Sequence, residues 1–96
     1  MANGVFLITD VAVKSFLEKP LSKAEGIALW WLVANLPAAG KVLSLAELGE
    51  LLKVPRSRIS LTIRKLCETG FLIRGSKVGL SYHYKLNPSF IRVLNT

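Results

Sequence analysis

The sequence predicts one α+β domain over residues 1–96, mostly helical: three to four helices, a two-stranded β-hairpin and a short C-terminal helix. Three observations predict it. The chain is long enough for one core, and 51% of its residues are apolar, well above a disordered composition. Two Ser-x-x-Glu signatures, Ser22 to Glu25 and Ser44 to Glu47, each announce a helix start. After Gly70 the apolar period changes from helical to alternating.

The elements follow in order. Val5 to Ile8 is apolar and β-prone, a short strand or an arm laid on a neighbour. Thr9 or Asp10 caps a helix that runs to about Glu18 and stops before Pro20, with Val11, Val13, Phe16 and Leu17 on its apolar side. Ser22 and Glu25 open the next helix with Leu21 placed to close over its first turn, and Pro37 to Gly40 ends it. Its run from Ile27 to Leu36 is apolar all round, so it must be enclosed by its own domain or by a partner subunit.

A possible short strand at Lys41 to Leu43 precedes the helix opened by Ser44, which sets Leu45, Leu48, Leu51 and Leu52 on one stripe. Lys53, Val54 and Pro55 interrupt it, with Pro55 in the first turn of a new helix that runs to about Thr69. Gly70 supplies a left-handed stop. Phe71 to Arg74 then reads as a strand and Gly75 to Gly79 as a turn. In Leu80 to Leu86, Leu80, Tyr82, Tyr84 and Leu86 share one face. Asn87 and Pro88 look like a cap with a first-turn proline, which predicts a last helix over Ser89 to Leu94.

The charge is unevenly placed. Residues 1–55 carry five bases and five acids, whereas residues 56–96 carry eight bases against the single acid Glu68, so the whole net charge of +7 lies in the C-terminal part. Such asymmetry points to a polyanionic partner, nucleic acid or an acidic membrane face. Membrane binding calls for a basic amphipathic helix with aromatic residues on its other side, and residues 55–69 hold no aromatic. The longest apolar run, Ile27 to Ala34, is far below the roughly 20 residues of a bilayer span. The amino terminus has no basic stretch of a secretory signal, so the expected location is cytoplasmic.

Catalytic chemistry finds no footing. Cys67 stands alone and reads as a small, partly buried apolar residue; His83, without a nearby carboxylate or thiol, reads as a strand-surface side chain. There is no carboxylate pair in a plausible pocket, activated nucleophile, phosphate-cradling glycine loop or metal-ligand spacing, which argues against an enzyme and calls for no cofactor or metal.

The helix over 55–69 carries the sharper signal. At ~100° per residue, Ile59, Ile63 and Leu66 point inward together. Ser57, Leu61 and Arg64 face away, with Arg56 near the start and Arg58, Ser60 and Lys65 on the flanks. A helix that exposes Ser, Arg and Lys, braced by a capped partner helix, suits the major groove of DNA. Leu61 fits either a thymine methyl or packing on the hairpin. In the hairpin, Arg74, Ser76 and Lys77 sit beside small residues and suit the phosphate backbone or minor groove.

Helix, tight turn, helix and basic hairpin is the order of a winged helix-turn-helix. Residues 44–74 resemble the DNA-binding core of MarR-like regulators and related families: the leucine-rich first helix, Val54 in the turn, Ile59 and Leu66 in the second helix, and Gly70-Phe-Leu-Ile opening the wing. The resemblance implies a double-stranded DNA-binding transcriptional regulator, most simply a repressor. Tyr84 to Pro88 is similar to the close of winged-helix domains in RepL-type plasmid replication proteins, which implies instead a role in plasmid or phage replication. A winged helix used only for protein contacts is a third alternative, though there the recognition face usually loses its positive charge.

Winged helices of this size commonly act as twofold dimers. The expected homodimer surface comprises Phe6, Trp30, Trp31, Phe90, Ile91 and Leu94, which agrees with the terminal helices used for that purpose by MarR-like proteins.

Overall fold

The computed structural model describes residues 4–94. In chain order the elements are β1 (Phe6–Ile8), α1 (Asp10–Glu18), α2 (Lys23–Asn35), β2 (Lys41–Leu43), α3 (Leu45–Leu52), α4 (Arg56–Thr69), β3 (Leu72–Val78), β4 (Ser81–Leu86) and β5 (Ile91–Val93). Four helices and two small antiparallel sheets make an α+β domain. One sheet has the order β2-β4-β3, and the other pairs β1 with β5. None of the described helices is long and apolar enough to cross a membrane.

Local chemistry explains most of the helix ends. The Thr9 hydroxyl accepts from the Ala12 amide and starts α1. Ser22 and Glu25 close a reciprocal capping box on α2, the Ser22 amide donating to Glu25 Oε1 at 2.9 Å. Ser44 Oγ accepts from the Glu47 amide at the start of α3. Gly70, at φ 97°, stops α4 in the left-handed conformation the sequence predicts.

Lys53, Val54 and Pro55 connect α3 to α4 in a tight turn. Lys53 itself is left-handed (φ 58°), and the Val54 amide reaches back to the Gly49 carbonyl at 2.8 Å. Pro55 stands at the N-cap position of α4, without a side-chain cap, rather than in its first turn. Gly49 lets the chain pass so closely: a Cβ there would lie 2.7 Å from the Val54 carbonyl oxygen.

The core lies between α2, α4 and the three-stranded sheet. Leu32, Val33 and Leu36 of the α2 region meet Ile59, Ile63 and Leu66 of α4, with Leu48 of α3 and Leu43, Leu72, Tyr84 and Leu86 of the sheet around them. Each fully buried aliphatic side chain contributes roughly 1.5–3 kcal/mol relative to exposure, which fixes α4 with its opposite face outward.

Several elements depart from the sequence expectation. No helix forms over Ser89 to Leu94. The Asn87 side chain does accept from the Ser89 amide, as a cap would, and the Phe90 and Ile91 amides close one turn on the Asn87 carbonyl. A helix this short gains few hydrogen bonds against the cost of its nucleus. The chain pairs with β1 instead, Ile8 opposite Ile91 and Phe6 opposite Val93.

On α1 only Ala12 is buried; Val11, Val13, Phe16 and Leu17 are all exposed. Val13, Phe16 and Leu17 do share one stripe, but it is turned away from the core. The side with the small residues Ala12 and Ser15 faces the domain, where Ser15 Oγ donates to the Thr69 carbonyl at 3.0 Å. On α3, Leu48 is buried while Leu51 lies 64% exposed, outside the predicted stripe.

The hairpin turn also moves. β3 continues through Gly75 and Ser76 to Val78, and only Gly79 (φ 64°) and Leu80 form the loop. Leu80 is therefore 93% exposed at the tip instead of sharing the inner face with Tyr82.

Candidate nucleic-acid interface

The sequence dictates an amphipathic α4, and packing of Ile59, Ile63 and Leu66 leaves Arg56, Ser57, Arg58, Ser60, Leu61 and Arg64 exposed, with Lys65 half-buried. The exposed residues divide into rows. Arg56, Ser60 and Arg64, spaced four apart, line a groove that runs between α4, the start of α3 and the β3–β4 hairpin. Ser57 and Leu61 form the next row outward. Helical spacing places Arg58 and Lys65 on the flank away from the groove.

The groove encloses about 720 Å³. Its far wall holds Arg74, Tyr82 and, at the tip, Leu80; Ser44 and Leu45 close one end, and Glu68 lies on the same lining. Three arginines, Arg56, Arg64 and Arg74, thus line one groove. The Arg74 guanidinium stands 4.6 Å above the Tyr82 ring centre, a cation–π contact worth roughly 0.5–1 kcal/mol at an exposed site.

A bulge sets the charge pattern of the hairpin. Arg74 lies opposite Tyr84, yet Lys77, three residues on, lies opposite Tyr82, only two residues back along β4. β3 therefore carries one extra residue around Gly75 and Ser76. Strict alternation would put Arg74 and Lys77 on opposite faces. The bulge returns both to the face shared by Tyr82 and Tyr84, which line the groove. Arg74, Ser76 and Lys77 are all exposed.

Cys67 lines the groove and is half-buried. Burial pushes its thiol pKa up, with the Arg74 charge pulling the other way, and burial likewise raises the Tyr84 phenol. Neither group offsets the arginines with a negative charge at neutral pH. Alkylation of Cys67 should therefore run slower in the folded than in the urea-unfolded chain below about pH 8.5, the usual thiol pKa. Equal rates would contradict this placement.

The residues expected at a dimer surface divide. Phe90 and Ile91 are buried in the chain's own core, Phe90 in an edge-to-face contact with Phe71 at 5.0 Å. Phe6 and Trp31 are half-buried, and Trp30 and Leu94 are exposed. The Phe6 and Trp30 rings lie 6.1 Å apart.

The chain matches no family model, no curated protein and no solved structure. Residue chemistry and geometry therefore carry the reading of this site. Of the residues the sequence singles out for DNA, Arg56, Ser60, Arg64 and Arg74 line the groove, whereas Ser57, Arg58, Leu61, Lys65, Ser76 and Lys77 do not. The sequence does not mark Tyr82, which packs against the core, as the platform under Arg74, nor Ser44 and Leu45 as the groove end. Gly75 followed by Ser76 was the available sign of the bulge, because glycine inside a strand often marks one.

Proposed function

We propose that this chain is a winged helix-turn-helix protein that binds double-stranded DNA in a sequence-specific way and regulates transcription, most simply as a repressor that occupies a promoter. α4 enters the major groove, and the β3–β4 wing follows the backbone or the adjacent minor groove. One observation carries this reading: Arg56, Arg64 and Arg74 border a single groove between helix and hairpin, within the part of the chain that holds the whole net charge of +7. A phosphate strand lying in that groove meets three guanidinium groups, each able to hold phosphate oxygens by paired hydrogen bonds. Ser57, Arg58 and Leu61, on the outer rows, then face base edges.

Arg58→Ala should weaken binding to the preferred duplex by roughly 1–3 kcal/mol and relax discrimination at one base position. Lys77→Ala should weaken all duplexes alike and flatten the salt dependence by about one unit of slope. Both are read by fluorescence anisotropy titration at several salt concentrations. Unchanged affinity in both variants, with the circular dichroism of the folded protein retained, would remove the assignment of α4 and the wing to DNA.

A further inference from the structure

The tip of the β3–β4 hairpin carries a side chain that neither the fold nor the phosphate contacts use. Val78 pairs with Ser81, so Gly79 and Leu80 alone make the turn. Of these two only Gly79 has a positive φ, 64°, the pattern of a type II′ hairpin turn, whose twist matches that of the flanking strands. Such turns favour glycine, asparagine and aspartate at their centre, so the turn itself does not call for leucine. Leu80 is nonetheless there, and it is 93% exposed.

A single exposed leucine is ordinary on a protein surface. Its surroundings set this one apart. Val78, two residues before it, is exposed as well, and so is every residue from Ile73 to Leu80. The other residues from Gly75 to Ser81 are small or basic, and none is acidic. Leu80 also lines the groove together with Arg56, Arg64 and Arg74, which places it on the face turned to DNA. The wing therefore ends as a slim, positively charged ribbon with an apolar point.

From these observations we infer that the wing tip enters the minor groove and that Leu80, backed by Val78, wedges between two base pairs and kinks the duplex. Apolar side chains inserted from the minor groove unstack one base step and bend DNA by roughly 20–90° toward the major groove. Small neighbours let the ribbon sink far enough for its tip to reach the bases, while Arg74 and Lys77 supply charge for the flanking phosphates. Leu80 leaves water as it inserts, which offsets part of the cost of unstacking. Unstacking is cheapest at pyrimidine–purine steps, so Leu80 selects such a step where no hydrogen bond reads a base. The wedge rests on the proposal that α4 and the wing hold duplex DNA, and adds to it a bent product and a second source of specificity.

Random-sequence duplexes of about 30 base pairs, with a donor dye on one end and an acceptor on the other, test it at low salt. Energy transfer reads the bend, and anisotropy of the same duplexes reads binding. The full wild-type chain should raise the transfer at saturation. Leu80→Ala and Leu80→Ser should still bind, weakened by no more than about tenfold, and lose most of that rise. Leu80→Met, which keeps a long apolar side chain, should retain it. All three changes lie at an exposed turn and should leave the melting temperature of the free protein in place. Binding by the wild type without a rise in transfer overturns the wedge and leaves DNA binding standing. So do three variants that bend the duplexes alike, whether as much as the wild type or not at all. A wild type that binds none of the duplexes overturns the wedge together with the DNA reading.

Discussion

Replacing Arg56, Arg64 and Arg74 together by alanine is expected to abolish measurable duplex binding while the domain stays folded. Each contact of this kind contributes roughly 1–3 kcal/mol, so if the three losses add the triple variant loses about 3 kcal/mol or more, over a hundredfold in affinity. The three side chains border one groove, and their losses need not add. The slope of log affinity against log salt should also flatten by about 2.7 units if all three meet phosphates. Their exposure keeps the cost to stability small: surface changes stay within about 0.5 kcal/mol each, with slightly more for Arg74 because it leaves the Tyr82 ring. Anisotropy titration and thermal denaturation of the same preparation separate the two quantities. Affinity within a factor of about three of wild type, less than one arginine's expected loss, would mean that the groove is not where DNA lies.

Gly40→Ala is expected to be the most damaging single change to the fold away from the helices. Gly40 has φ 79° at the entrance to β2, where its amide donates to the Pro37 carbonyl at 2.8 Å. A Cβ there would press on the Tyr84 carbonyl oxygen and lie 2.6 Å from Lys85 Cβ, both on the central strand β4. A left-handed non-glycine residue costs roughly 1–2 kcal/mol. Displacing a packed strand adds roughly 1–3 kcal/mol, for a total of about 2–5 kcal/mol. In a domain of this size each kcal/mol lowers Tm by about 4–8 °C, so a fall of roughly 8–40 °C is expected. By contrast Gly79→Ala, equally left-handed (φ 64°) but with nothing within 4 Å of its built Cβ, should cost only the backbone term. Similar Tm values for the two variants would contradict the steric part of this account.

What could be read from the sequence was what short-range chemistry decides. The Ser22–Glu25 box, the Ser44 cap, the left-handed stop at Gly70 and the inward row Ile59, Ile63 and Leu66 each depend on neighbours within a few residues. So does the exposed face of α4. Long-range pairing was not legible: Asn87 and Pro88 carry a helix-start signal, and only the distant strand Phe6–Ile8 makes the segment after them a strand. The bulge at Gly75 and Ser76 and the loop at Gly79 and Leu80 moved side chains between faces, because a shift of one residue reverses every assignment on a strand. The groove was invisible for the same reason. It depends on how the hairpin stands beside α4, and no local pattern encodes that orientation. Exposure of Val13 and Phe16 was equally hidden, since apolar periodicity marks a face without saying what covers it.

The most direct test of the central claim is selection of bound sequences from a randomised duplex DNA pool by the full chain, at low and at near-physiological salt. The proposed function predicts recovery at both, with one motif enriched and, for a dimer, an inverted repeat whose half-sites lie about one helical turn apart. Recovery at low salt alone with no enriched motif, or no recovery at either, would contradict sequence-specific binding and leave the three arginines as an electrostatic surface for another partner.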